Sequence, residues 1–202
     1  MNPLAAYLED MEVLETREIK DAFARVDRRD FVREEDRGRA YEDSPLPIGF
    51  SQTISQPYTV AFMLELLQPK KGEAVLDVGS GSGWTAVLLA SIVGETGMVY
   101  GTEMVPELLE FGIKNMAKYA FPQAKLLQAK KGETGLAAKA PFDRILVSAA
   151  AKEEIPRKLV EQLKEGGVMV LPVGDSVFTV RKTKTGEPDI KRFEGFAFVP
   201  LV

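Results

Sequence analysis

The chain has 202 residues, 45% of them apolar and 28% charged, with a formal net charge of −4 and a pI near 5.2. That length fits one sizeable core and is short for two domains, while the acidic balance gives no overall attraction to a phosphate backbone. Cysteine and histidine are both absent, which removes disulfides, thiolate zinc sites and a cysteine nucleophile, and no metal site is expected.

Taken in order, residues 1 to 45 are charge-rich with apolar positions at helical spacing: Leu4, Leu8 and Met11, then Ile19, Phe23, Val26 and Phe31. This predicts two or three helices lying across the fold that follows, as a wall for a substrate. The start carries acids where a signal peptide carries cations, and no apolar run approaches the roughly 20 residues that span a bilayer, so a soluble, cytoplasmic protein is expected. Prolines and a glycine make 41–50 an extended connection, continued by 51–57. Pro57 suits the first turn of a helix over 58–67. A hydroxyl-rich stretch thus sits at a helix N-terminus, where Ser55 reads either as an ordinary N-cap or as a functional group.

Next comes a short apolar run, 74–78, which reads as a buried parallel strand, and 84–93 reads as the helix after it. Between them Gly79, Ser80, Gly81 and Gly83 form a turn that bends sharply, takes positive φ and admits a ligand close to the backbone. The strand before it and the helix after it point to a nucleotide-type cofactor loop. A second strand, 98–103, ends in Glu103, placed where an acid accepts from both hydroxyls of a ribose. NAD and S-adenosylmethionine both carry that ribose. NAD is usually met by Gly-x-Gly-x-x-Gly, whereas the spacing here is Asp-x-Gly-x-Gly-x-Gly. It is similar to the first motif of the class I methyltransferases, in which the acid, here Asp77, lies near the aminoacyl part of the sulfonium donor.

The remainder alternates: a helix 106–120, a strand 125–129, a strand 142–148, a helix 157–164 stopped by Gly166 and Gly167, and a strand 168–171. Segments 176–181 and 193–201 read as an antiparallel pair closing the sheet edge. The pattern predicts an α/β fold, a doubly wound, mostly parallel seven-stranded sheet with an N-terminal helical extension and a ligand site at the carboxyl ends of the strands. We read one domain, 1–202, with helices and a substrate loop over 1–57 and the donor-binding core over 58–202.

From residue 28 to 201 the chain resembles the protein-L-isoaspartate O-methyltransferase family. The most specific match is Gln52-Thr-Ile-Ser-Gln-Pro-Tyr58, preceded by Tyr41-Glu-Asp-Ser-Pro-Leu-Pro-Ile-Gly49. Pro141-Phe-Asp-Arg-Ile-Leu-Val-Ser-Ala-Ala-Ala151, Leu171-Pro-Val-Gly174 and Phe198-Val-Pro-Leu201 follow in order. The resemblance implies methyl transfer from S-adenosylmethionine to the free α-carboxylate of L-isoaspartyl residues in damaged proteins. It places the family's active-site serine on Ser55, with Thr53 beside it, and implies isoaspartyl proteins or peptides as partners; the charge and the lack of a long apolar run set the expectation of no nucleic acid and no membrane, and a monomer is expected. A carboxylate with a pKa near 4 is already ionised at neutral pH, so attack on the methyl needs no general base. Positioning should dominate.

Three departures stand out. The family usually places an aspartate that accepts from the adenine amino group where this chain has Lys131. Gly132 and Gly135 keep the loop, so either Glu133 or a backbone carbonyl reads the adenine, or donor binding is weak. Ser51 stands where the family commonly has glycine, and Trp84 where it has tyrosine, the latter read as helix packing. Besides isoaspartyl methylation, two readings stay open: a methyltransferase with another acceptor, and a donor-binding protein without activity. The absence of an Asn/Asp-Pro-Pro-Tyr loop and of cysteine argues against two common nucleic-acid acceptors.

Overall fold

The computed structural model describes residues 3–151, 154–184 and 187–199. Helices α1 (Pro3–Asp10) and α2 (Arg17–Arg25) and two 3-10 turns, Arg28–Phe31 and Glu34–Arg39, precede a small hairpin, β1 (Leu46–Gly49) and β2 (Gln52–Ile54). The core follows as α3 (Pro57–Leu67), β3 (Ala74–Val78), α4 (Trp84–Val93), β4 (Met98–Glu103), α5 (Pro106–Met116) and β5 (Ala124–Gln128). It ends with β6 (Phe142–Val147), α6 (Arg157–Glu161), β7 (Leu163–Val173), β8 (Ser176–Arg181) and β9 (Asp189–Glu194).

Among the described residues the main sheet has seven strands in the order β5-β4-β3-β6-β7-β8-β9. Pairing is parallel from β5 to β7 and antiparallel at β7–β8 and β8–β9. The expected fold class is therefore the one observed. Alternation along the strands divides two apolar layers. Val75, Val99, Leu126, Leu146, Val168 and Val170 join the layer formed with α3, α4, α5 and the N-terminal helices. Leu76, Val78, Ile145, Val147, Met169 and Leu171 face the other way, onto Leu159 of α6 and Leu136. The strand order reverses between β3 and β6, and at that switch point the carboxyl ends of the parallel strands form the crevice in which such sheets take a ligand.

Several boundaries differ from expectation, each for a tertiary reason. Helix α5 ends at Met116, where the chain turns so that the Tyr119 hydroxyl can donate to Asp30 and accept from the Asp27 N–H. Helix α6 stops at Glu161, because Leu163 already pairs with Phe142 and the strand runs on through Gly166 and Gly167 with a register shift. The last strand is Asp189–Glu194, not 193–201. Its side chains are mostly exposed, as on an edge strand, so its apolar signal is weak, whereas Phe196 and Phe198 belong to a tail that leaves the sheet at Gly195 (φ 96°). Phe196 stacks on Phe62 of α3 at 5.0 Å between ring centres; positions 200 and 201 lie outside the described residues. Met11 is exposed, and the α1 stripe is Leu4, Ala5 and Leu8. No helix among the described residues is long and apolar enough to cross a membrane.

Candidate active site

The glycine turn after β3 is held from beneath by β4: the Gly79 and Ser80 N–H groups donate to the Thr102 carbonyl at 2.8 and 3.0 Å. Gly79, Gly81 and Gly83 all have positive φ. Gly83 abuts Gly112 of α5, whose own Cβ would stand 2.8 Å from the Gly81 carbonyl oxygen. The sequence reading missed Gly112; a glycine within a helical pattern is the signal that marks such close approach. Glu103 closes the arrangement. One carboxylate oxygen accepts from Gly81 N–H and the other from Val105 N–H, both at 2.9 Å.

A cleft that opens to solvent lies over this turn. Gly79, Gly81, Glu103 and Thr102 form one part of its lining, Met104, Leu108 and Ala149 supply apolar surface, and Glu133, Thr134 and Gly135 complete it. Each Glu103 oxygen retains lone-pair capacity after its backbone bond. An acidic acceptor, a backbone floor without side chains and an apolar slot suit the ribose and purine of S-adenosylmethionine.

The other expected donor residues sit around this cleft without lining it. Asp77 is fully buried beneath the floor and accepts from the Thr85 hydroxyl at 2.6 Å and the Ser148 hydroxyl at 3.1 Å. Burial raises its pKa to about 6 against the lowering effect of those two bonds. Its influence on the cleft thus passes through Ser148. Ser80 lines a small adjoining recess and its buried hydroxyl has no partner among the described residues. Gly132 (φ 85°) shapes the turn that presents Glu133, and Lys131 is exposed and lines neither the cleft nor the space beside it. The lysine therefore does not occupy the place of an adenine acceptor.

A second cavity, a groove, adjoins the cleft and is lined by Thr53, Ser55, Tyr58, Ser148, Phe196 and Phe198, among others. Thr53 and Ser148 line cleft and groove alike. Thr53 and Ser55 are brought here by the β1–β2 hairpin, whose tip residues Phe50 and Ser51 take φ of 53° and 58°. The N-cap reading of Ser55 fails. Gln56 is the cap position of α3, and it is the Asp43 carboxylate, distant in sequence, that accepts from the Tyr58 N–H at 2.8 Å. No hydrogen bond among the described residues uses the Ser55 hydroxyl. The N-terminal helices do not wall either cavity; they pack on α3 and α4 and bring Arg28 behind the hairpin. Trp84 is buried between Arg28 and Phe23, consistent with packing. Ser148 and Arg28 had not been singled out from sequence, because neither lies near the loops it serves.

Known proteins share this chain's sequence pattern and fold. The sequence model described as protein-L-isoaspartate(D-aspartate) O-methyltransferase matches residues 1–202. A protein-L-isoaspartate O-methyltransferase of Methanopyrus kandleri is 43% identical, over 98% of this chain and 89% of its own length. One from Aeropyrum pernix is 46% identical, over 93% of this chain and 73% of its own. A crystal structure titled as a putative protein-L-isoaspartate O-methyltransferase from Plasmodium falciparum, in complex with S-adenosyl-L-homocysteine, superposes with a TM-score of 0.88. It is 26% identical and covers 100% of this chain and 97% of that one. With a matching model along the whole chain, relatives above two-fifths identity and a shared fold, this chain belongs to the protein-L-isoaspartate O-methyltransferase family.

Proposed function

We propose that the chain methylates the free α-carboxylate of L-isoaspartyl residues in aged proteins, giving an ester able to close to a succinimide. The observation that carries this reading is the meeting of two cavities at Thr53 and Ser148, one suited to a nucleoside and the other open enough for a peptide. When bound, S-adenosylmethionine supplies an electrophilic methyl group on a sulfonium; the carboxylate oxygen–methyl bond forms as the sulfur–methyl bond breaks.

Glu103 binds the ribose hydroxyls, and the 79–83 backbone leaves room for the aminoacyl portion. Glu133 is the side-chain acceptor nearest the purine end and receives the adenine amino group. The Ser55 hydroxyl, with no hydrogen-bond partner among the described residues, orients the acceptor carboxylate, and Thr53 lies at the junction of the two cavities. No residue needs to remove a proton, because the acceptor is ionised at neutral pH. The work of the protein is alignment, which can be worth several kcal/mol when the reacting atoms are held about 3–3.5 Å apart. The test supplies methyl-labelled S-adenosylmethionine and paired peptides that differ only in Asp versus isoAsp. Base-labile label on the isoAsp peptide alone is expected. Label on neither, with donor binding retained in calorimetry, would leave a binding protein or another acceptor.

A further inference from the structure

Arg28 is fully buried. Its Nη1 donates to the carbonyls of Ala40 at 2.8 Å and Glu42 at 3.3 Å, and its Nη2 to those of Ser44 at 2.9 Å and Ser55 at 3.0 Å. On another side the guanidinium lies 5.4 Å from the centre of the Trp84 ring. No carboxylate forms an ion pair with it among the described residues. Its charge is met by carbonyl dipoles and an aromatic face, a costly setting for a cation. Burial brings its pKa down to about 10, against the pull of Asp43 and Glu42, so at neutral pH it stays charged. A hydrophobic residue would fill that space with less desolvation, so the retained charge calls for a use.

The adjoining groove offers one. Cleft and groove are lined by Glu103, Glu133 and Glu194, and by no lysine or arginine among the described residues. An anionic acceptor entering them meets acidic walls on a protein of net charge −4. The cation one residue behind this surface, bonded to the backbone of Ser55, is Arg28. We propose that Arg28 is a positioning residue for the acceptor: it holds Ser55 from behind the groove and supplies the positive potential that selects a carboxylate over its neutral analogue. This rests on the acceptor reading above.

Setting the charge back suits the chemistry. A guanidinium in direct contact would engage the lone pair that must attack, and so stabilise the ground state more than the transition state, in which the carboxylate charge is being lost. Placed behind a peptide group, the same charge attracts the anion and leaves its oxygens free. Lysine would keep the charge and lose the planar fork that joins the Ala40, Ser44 and Ser55 segments.

The experiment measures peptide binding in the presence of S-adenosylhomocysteine, whose neutral sulfur contributes no sulfonium charge. Two peptides are compared that differ only at one group, the isoaspartyl carboxylate or its carboxamide. The parent should prefer the carboxylate by about tenfold or more. Arg28→Met should lose that preference, whereas Arg28→Lys should retain most of it while turnover falls; S-adenosylhomocysteine affinity should change little in either. Equal weakening of both peptides in Arg28→Met, with the preference intact, is the signature of a purely structural prop and overturns the proposal. If Arg28→Met does not fold, as failure to bind S-adenosylhomocysteine would show, ¹⁵N-arginine-labelled parent protein decides. The buried Arg28 Nε–H should shift with the isoaspartyl peptide and not with the carboxamide, and equal shifts overturn the proposal. A parent that methylates isoaspartyl peptide without preferring the carboxylate sinks the role of Arg28 alone. A parent that neither binds nor methylates it sinks the acceptor reading, and the role of Arg28 with it.

Discussion

The donor cleft and the acceptor groove share a wall, yet they are assembled in opposite ways. The cleft draws its turn and its ribose acceptor from one contiguous βαβ stretch, 74–103, and relies on backbone N–H groups and a single carboxylate. The groove takes Thr53 and Ser55 from a hairpin, Ser148 from the end of β6 and Phe196 and Phe198 from the chain's last described segment, with Arg28 behind. The turn and ribose acceptor, made by one local unit, persist as long as that unit folds, whatever the other segments of the cleft wall do. A site gathered from four segments depends on the packing that gathers them, and so leaves room to change the acceptor without disturbing the donor. Substitutions in the two regions should therefore separate into effects on donor affinity and effects on turnover.

Asp77 is where the regions meet, since it bonds both Thr85 of the donor helix and Ser148 of the shared wall. Its folded-state pKa of about 6 lies above the unfolded value of about 3.8. Well below pH 3.8 both states are protonated and nothing is lost; as pH rises through 3.8 towards 6 the unfolded chain ionises first, and stability falls. The total is about 3 kcal/mol once both states are ionised. Denaturant unfolding at pH 4, 5, 6 and 7 should show Asp77→Asn gaining on the parent by that order across the window. A constant difference would mean that Asp77 does not carry the titration.

Glu103→Ala should weaken S-adenosylhomocysteine by about 2 kcal/mol or more, since the ribose hydroxyls lose a charged acceptor and the Gly81 N–H is left without its partner. Calorimetry that registers no change would take Glu103 out of the site. Ser55→Ala tests the other region: methyl transfer should fall by about tenfold or more with donor affinity nearly unchanged. A parallel loss of both would erase the separation drawn here.

Smaller effects sharpen it. Ser51 holds a left-handed conformation at the hairpin tip, so Ser51→Gly should raise stability by about 1 kcal/mol, read from the denaturation midpoint. Glu133→Ala should loosen the donor by about 1 kcal/mol, the worth of one hydrogen bond, whereas Lys131→Ala should leave it unchanged. A donor that responds to Lys131 and not to Glu133 would reverse the assignment at the adenine end.

What was legible from residues alone follows the same division. Strand, glycine turn, helix and Glu103 are readable because each is a short-range pattern: an apolar run, residues without a Cβ where φ must be positive, and an acid at a set distance. The helix β-strand boundary at Gln162 and Leu163 and the edge strand Asp189–Glu194 were not, since pairing to β6 and β8 overrides local preference there.

The sequence by itself determined the α/β alternation, the donor motif and the candidacy of Ser55, all of which depend on neighbours along the chain. Only the tertiary structure decided that Asp43 caps α3 and so releases Ser55, that Asp77 acts beneath the floor, that Lys131 does not line the cleft, and that Arg28 backs the groove. The physical reason is the same in each case. Hydrogen bonds between residues distant in sequence, such as Arg28 to Ser55 and Asp77 to Ser148, form only when the packed sheet and helices bring them within 3 Å or so, and no periodicity or spacing in the chain encodes that approach.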